Sequence, residues 1–285
     1  MNDLPASPIP SADEPEALRR IAERIVTEAA DHLRGLPRPW EGTPGDSVAT
    51  KSTPTDVVTA SDHALETLIR ERLAQLRPGD AVVGEEHGGS GGSATTWVVD
   101  PIDGTVNFLY GMPWYAISIA AARDGVSVAG AVMEPASGRL WSASAGGGAT
   151  CDGSPLRVSG ATDLSLSLLS TGFSYRAERR VRQVDLVARL LPRVRDVRRA
   201  GAAALDLCAV AAGWTDAYLE HGCNWWDWAA AALIAAEAGA VVRTPGPTGS
   251  TPPDDGLGAD ALFAAAPGIA AELAALAKEY GAGAV

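Results

Sequence analysis

Apolar residues along the chain keep two rhythms, and the change from one to the other marks out the elements. From Pro15 onward Ala17, Leu18, Ile21, Ile25, Val26, Ala29 and Leu33 recur at helical spacing, which predicts an amphipathic helix ending near Gly35. The Pro/Gly-rich stretch from Gly35 to Gly45 reads as a loop. A second helix is predicted with Ser61 or Asp62 as its N-cap, running through Leu65, Leu68, Ile69 and Leu73 towards Arg77-Pro78-Gly79. A short strand, Ala81 to Val83, then delivers Glu85 and Glu86 at its end. After the flexible GGSGGS run, the strand Trp97-Val98-Val99 delivers Asp100.

Between Tyr115 and Ser144 the period shortens to that of strands. Three pieces, separated by Arg123-Asp124-Gly125 and by the turn residues 134–138, predict an antiparallel meander. The second half alternates helices (about 177–191, 202–212, 226–238 and 268–280) with strands near 195–199, 215–219, 240–243 and 261–266. Residues 245–258 read as a surface loop, and no internal repeat or heptad run is present. Layered helices and sheets, an α+β fold, are the expected outcome. Residues 1–15, rich in Pro, Ser and acidic side chains, predict a disordered tail before a single folded domain over 16–285.

Composition narrows the partners. The 285 residues carry 23 Lys and Arg against 35 Asp and Glu, a formal charge of -12, and 46% of them are hydrophobic. A surface of that sign repels nucleic acid and anionic lipid, so neither is an expected partner. It would also repel a small phosphorylated molecule unless bound cations reversed the sign locally. Cys151, Cys208 and Cys223 are odd in number and show no CxxC pairing, which fits a reducing cytoplasm. The N-terminal stretch lacks the basic and apolar regions of a secretion signal, and no run of about 18 apolar residues predicts a membrane span.

Candidate chemistry is densest at Asp100-Pro101-Ile102-Asp103-Gly104-Thr105, where a strand ends in two carboxylates three positions apart. Such a turn can aim both carboxylates and the Ile102 carbonyl into one volume, the oxygen-only set that Mg2+ prefers. If Gly104 and Thr105 open a helical turn, their N–H groups offer an anion-binding corner. DxxD also occurs in ordinary turns and N-caps, so both readings stand at this point. Of the adjacent glutamates, Glu85 is the ligand candidate, whereas Glu86 reads as solvated surface. Asp227, opening an Ala-rich helix, reads on its own as an N-cap or first-turn residue. The four histidines show no zinc spacing, and no nucleotide-binding loop follows a strand. Gly88-Gly89-Ser90-Gly91-Gly92 matches GxSxG but lacks the flanking strand and helix of a nucleophile elbow. Trp225, Trp226 and Trp228 read as core and loop filling.

Taken together, GEE at 84–86, DPIDGT at 100–105 and WD at 226–227 resemble the inositol monophosphatase family of lithium-sensitive, magnesium-dependent phosphatases. The resemblance runs from about Ala17 to the C-terminus. It includes KSTPTDVVTASD at 51–62, VDPIDGTVNFLYGMPWYAISI, DVRRAGAAALDLCAVAAG and DAYLEHG. It implies an αβαβα sandwich, commonly a homodimer, with a metal-binding half at 16–158 and a substrate half at 159–285. Carried over residue by residue, Glu85, Asp100, the Ile102 carbonyl, Asp103 and Asp227 would hold two or three Mg2+ per active site. Glu85 would share the ion that activates water, and Thr105 and Asp62 would orient and deprotonate that water. Gly104, Thr105, Ala203, Glu220 and Asp227 would border the substrate, with Glu220 accepting hydrogen bonds from polyol hydroxyls.

The substrate this implies is a small polyol phosphate monoester, foremost myo-inositol 1-phosphate. Relatives with the same motifs act on histidinol phosphate, fructose bisphosphate or adenosine bisphosphate, and some associate with transcription machinery. Two positions depart from the family pattern. Ala202 follows Gly201 where the family often carries Thr or Ser, which removes a hydroxyl near the ring, and Ala231 stands where Gly is frequent.

Overall fold

The computed structural model describes residues 14–36, 48–51, 57–89, 91–246 and 253–285. The tail and the first Pro/Gly loop fall almost wholly outside these residues, as do Ser90 and the centre of the 245–258 loop. Helix α1 (Pro15–Gly35) starts where its proline costs nothing, at N1. Strands β1 (Val48–Thr50) and β2 (Val57–Thr59) form an antiparallel pair that leads into α2 (Ala60–Leu76). The cap of α2 differs from expectation. Thr59 is the N-cap and Asp62 sits at N3, closing a capping box, because the Thr59 backbone N–H reaches the Asp62 carboxylate at 2.8 Å.

A seven-stranded sheet follows. Its strands β3 (Ala81–Gly84), β4 (Thr96–Asp103), β5 (Ala116–Arg123), β6 (Val126–Glu134), β7 (Arg139–Ser144), β8 (Gly148–Cys151) and β9 (Ser154–Pro155) lie side by side in chain order. The first pair is parallel and the rest antiparallel. A short helix, α3 (Thr105–Leu109), separates β4 from β5. The meander is as the pattern predicts, but β8 and β9 extend it beyond the apolar signal: β9 is only two exposed residues.

The second sheet is built from β10 (Leu168–Thr171), β11 (Asp196–Arg198), β12 (Ala217–His221), β13 (Val241–Arg243) and β14 (Ala261–Ala265), in the order β11-β10-β12-β14-β13. Helix α4 (Ala177–Leu190) connects β10 to β11, and α5 (Ala203–Ala211) connects β11 to β12. Helices α6 (Trp225–Glu237) and α7 (Pro267–Glu279) complete the chain's regular elements. Strand β10 was not anticipated. Its serine-rich surroundings mask a strand whose Leu169, Ser170 and Thr171 are all buried, because both faces of the small sheet are covered.

Alternation along the strands sorts the side chains into layers. On one face of the large sheet, Trp97, Val99, Ile117, Ile119 and Ala121 pack against Leu18, Ile25, Leu65 and Ile69 of α1 and α2. On its other face, Val98, Ala120, Ala122 and Trp141 meet α5 and α6, whose far sides cover Tyr218, Leu262 and Ala264. The opposite face of the small sheet, with Leu169, Leu219 and Phe263, is covered by α4 and α7. The order is therefore α, β, α, β, α, as expected. Of the central helices, α6 carries mostly alanine at its buried positions, with Ala231 fully buried, whereas α5 mixes alanine with Leu205, Leu207, Cys208 and Val210. The candidate site lies where β3, β4 and β12 end beside the first turns of α5 and α6.

Candidate active site

Strand β4 is buried on both faces, and its register against β5 slips between Asp100 and Asp103. That irregularity falls on Pro101 and Ile102, and a bulge of this kind re-aims the side chains beside it. Asp100 and Asp103, three positions apart, thereby contribute to the same cavity. Asp100 Oδ1 accepts the Ile102 N–H at 3.0 Å. Asp103 reaches across to α5 and accepts the N–H groups of Ala203 (3.2 Å) and Ala204 (2.7 Å). Ala202, the α5 N-cap, has no side-chain acceptor of its own, so Asp103 takes over the capping role from another layer.

Glu85 stands in the turn after β3. That turn is held by Glu66, a buried α2 carboxylate that accepts the N–H groups of Glu86 (2.6 Å) and His87 (3.2 Å). The approach is so close that a Cβ on Gly84 would sit 2.1 Å from Glu66 Oε1, so any larger residue there would displace the carboxylate that holds the turn. Lys51 Nζ donates to Glu85 at 2.7 Å and to Glu86 at 2.5 Å. Glu86 is thus not solvated surface. Only 4% of its side chain is exposed, and its charge is met by Lys51. Burial alone would pull the Lys51 ammonium down, but the two glutamates hold it above the usual lysine range.

Asp227 is the N3 residue of α6, and its Oδ2 accepts the Asn224 N–H at 2.6 Å. The first-turn role read from sequence is therefore real, and the same carboxylate also lines the cavity with Asp100 and Asp103. Burial, with repulsion from Glu85 and Asp103, pushes Asp227 well above the usual carboxylate range. Burial pushes Asp100 likewise, with Glu85, Asp103 and Asp227 adding to the rise. Asp103 is pushed up to about 7 by burial, against the pull of the Ala204 N–H. Burial raises Glu85 as well, against the pull of Lys51.

Behind this group, Asp62 is fully buried and accepts both the Thr59 N–H and the Thr59 hydroxyl (2.6 Å) on Oδ2. Its Oδ1 faces the Thr105 hydroxyl at 3.4 Å, and that hydroxyl lies 3.0 Å from the Ile102 carbonyl. Burial pushes Asp62 up to about 7 despite the Thr59 donors.

As the side chains stand, no three His, Cys, Asp or Glu among the described residues are gathered tightly enough to ligate one ion. The reason is visible in their partners: each carboxylate is turned towards a nearby N–H or towards Lys51. The donor set nevertheless fits a hard divalent cation. It is oxygen-only, buried and mutually repelling, and a cation would relieve the repulsion that holds these carboxyls up.

The cavity encloses about 1110 Å3. Past the carboxylates its wall runs over Gly104, Thr105 and Ala203 to Glu220, which receives the Tyr218 hydroxyl at 2.5 Å. The same lining also carries Arg176, Arg179, Arg182 and Arg199, with Glu178 and Asp260. Every site residue predicted from sequence except Asp62 lines this one cavity, and Asp62 touches it through Thr105. Lys51, Trp226 and the four arginines had no role from sequence. Lysine and arginine in an acidic chain carry no spacing signal, and Trp226 was read as filling. Its indole N–H is buried without an acceptor, as is Arg179 Nε.

A five-layer α+β sandwich thus gathers acidic side chains where its strands end, a donor set suited to a hard divalent cation. The inositol monophosphatase family matches residues 14–281, and the chain belongs to that family. It is 52% identical over 286 residues to the inositol-1-monophosphatase of Mycobacterium leprae, spanning 94% of this chain and 96% of that protein. The solved structure of Mycobacterium tuberculosis SuhB superposes with a TM-score of 0.79 at 47% identity, covering 95% of this chain and 99% of that one. The Nus factor SuhB of Pseudomonas aeruginosa is 43% identical over 195 residues, 66% of this chain and 72% of that protein.

Proposed function

We propose that the chain hydrolyses small polyol phosphate monoesters with Mg2+, and that myo-inositol 1-phosphate is its principal substrate. One observation carries the reading: Glu85, Asp100, Asp103 and Asp227 share one end of a deep cavity in a chain of this family. Those four side chains and the Ile102 carbonyl are the groups that would hold two or three Mg2+. Bound there, Mg2+ supplies the positive field that admits phosphate to an acidic protein and lowers the pKa of water.

The chain's own contribution is orientation and proton transfer. The Thr105 hydroxyl, set between Asp62 and the Ile102 carbonyl, positions the attacking water. Asp62, whose pKa is pushed close to neutrality, accepts the proton that Thr105 relays. Gly104 and Thr105 N–H groups face the phosphate, and the backbone at Ala203 borders the ring. Glu220, fixed by Tyr218, accepts hydrogen bonds from ring hydroxyls. Asp227, at the junction of the two regions, faces both.

The test is phosphate release from myo-inositol 1-phosphate, histidinol phosphate, fructose 1,6-bisphosphate and adenosine 3',5'-bisphosphate under one Mg2+ concentration. The inositol ester should give the highest kcat/KM, and a higher value for histidinol phosphate or the adenosine ester would reassign the substrate. Li+, similar in size to Mg2+ but with half its charge, should inhibit in a manner partly relieved by raising Mg2+.

The reading extends to a single phosphatase domain over 16–285 acting as a cytoplasmic homodimer. Three cysteines without disulfides fit that compartment. A protein-binding role beside catalysis is favoured by the identity to a Nus factor. A pull-down in chelator would retain such a partner, and its absence would leave catalysis alone.

A further inference from the structure

The parallel ladder between β10 and β12 stops at the pair Thr171 and Leu219. Strand β10 ends there, while β12 continues beside β14 to the pair His221 and Ala261. Beyond the ladder, residues 172–176 and, His221 excepted, 220–222 line the cavity, as the carboxyl ends of parallel strands commonly do. A side chain joins the two segments there. Gln183 of α4 accepts the Ser174 N–H on Oε1 at 2.7 Å and donates from Nε2 to the His221 carbonyl at 3.0 Å. Only one orientation of the amide serves both partners, since a backbone N–H cannot accept and a carbonyl cannot donate. Gln183 and His221 are both buried, so removing this side chain would leave a sheltered carbonyl without its donor.

Glu220 stands inside this bracket. No room is left for a Cβ on Gly172 beside the Glu220 carboxylate, so the bare backbone after β10 is the surface on which that carboxylate lies. Gly172, Gln183, Glu220 and His221 also border one interior void of about 10 Å3, no larger than a single water needs. His221 Nε2 donates to the Leu257 carbonyl at 2.8 Å, and the Gly222 N–H reaches the Asp260 carbonyl at 3.3 Å. Residues 172–176, 220–222 and 257–260 therefore form one hydrogen-bonded wall, with Gln183 linking the first segment to the others.

We propose that Gln183 is a positioning residue for polyol recognition. By tying residues 172–176 to the end of β12, it fixes the Glu220 carboxylate where ring hydroxyls meet it. Gln183 itself does not line the cavity, so it acts through Glu220 and touches neither ring nor metal. An amide suits the position because it supplies a donor and an acceptor without adding charge beside a buried carboxylate. This inference rests on the polyol phosphatase reading of the same cavity.

The experiment assays wild type, Gln183→Met, Gln183→Glu, Glu220→Gln and the Gln183→Met/Glu220→Gln double variant on myo-inositol 1-phosphate and a simple aryl phosphate. Gln183→Met keeps the length and removes both bonds. It should lower kcat/KM for the inositol ester about tenfold, chiefly through KM, as expected for a lost buried hydrogen bond. The aryl phosphate should be unaffected. Gln183→Glu, nearly isosteric, keeps the acceptor for Ser174 but not the donor to His221, and should show a loss selective for the same ester. In the Glu220→Gln background, Gln183→Met should cost no more than about twofold further, because residues acting as one unit are not additive. Amide hydrogen exchange at Ser174 should quicken in Gln183→Met while Leu219 stays protected. That readout stands even if the inositol ester is not the substrate, and wild-type turnover of the ester tests the phosphatase reading separately. Equal losses on the two esters, an additive double variant, or unchanged exchange at Ser174 would overturn the role of Gln183.

Discussion

At the acidic end of the cavity, Asp100, Ile102, Asp103, Gly104 and Thr105 come from one unbroken stretch of chain. Elsewhere on the cavity wall, Arg179, Arg199, Glu220 and Gly222 arrive from α4, the segment after β11, and the end of β12. The first region is dictated locally: a buried strand, a register slip and a helical turn leave its carboxylates little choice of direction. The second exists only once the small sheet and α4 have packed. They differ in charge as well. The acidic end is crowded with like charges that burial holds towards neutrality, whereas the basic wall mixes four arginines with Glu178, Glu220 and Asp260. Crowded carboxylates suit cation binding.

The largest effect expected from breaking this contrast is at Asp100. Asp100→Asn keeps the volume but removes a charge that Glu85, Asp103 and Asp227 repel, so turnover should fall on the order of 10³-fold, as for loss of metal charge stabilisation. Circular dichroism should be unchanged. Near-normal turnover by the folded variant would take Asp100 out of the site's chemistry. Elsewhere in the cavity, Glu220→Gln should cost inositol phosphate about 10- to 100-fold in kcat/KM while sparing a simple aryl phosphate, because only the former offers ring hydroxyls. An equal loss on both would move Glu220 into the chemical step.

The acidic end was legible because its signal is contiguous. DPIDGT needs no tertiary information to suggest a ligand set, and GEE and WD complete it only through resemblance. Asp227 shows the limit of local reading, since an N3 residue that bonds Asn224 looks the same whether or not it also faces a cavity. Glu86 was misread because nothing nearby in sequence indicates that Lys51 folds over it. The cap of α2 was misplaced by two or three residues, since Thr59 and Asp62 share the box and either fits the pattern. The arginines were invisible for a different reason: Arg199 lies against Gly201 and Arg179 against Gly222, glycines that sequence alone presents as turn residues.

Stability should separate the regions by pH. Asp62 and Asp103 have folded pKa values of about 7 against about 3.9 for an unfolded aspartate. Between those values the folded state binds more protons, so the stability these groups contribute is full below the unfolded pKa and is lost as pH rises through 7. In chelator, Tm should therefore fall by several degrees between pH 5 and 8, and Mg2+ should flatten the profile. A Tm that rises over this range in chelator would mean the nest is not strained.

The smallest effect is at α5. Ala202→Ser should give this helix an N-cap hydroxyl, raising stability by about 1 kcal/mol and Tm by about 2 °C. The hydroxyl would add to Asp103, which already accepts the N–H groups of Ala203 and Ala204, and an unchanged Tm would show that those two bonds leave nothing for it to cap.

Release of phosphate from myo-inositol 1-phosphate by metal-stripped protein, followed as Mg2+ is added back, bears most directly on the carboxylate nest. Turnover should be absent in excess chelator and return with a Mg2+ dependence steeper than that of a single ion. The Asp100→Asn variant should not be restored at any Mg2+ concentration. Full turnover in chelator, or full restoration of that variant, would contradict the assignment of Glu85, Asp100, Asp103 and Asp227 to the metal.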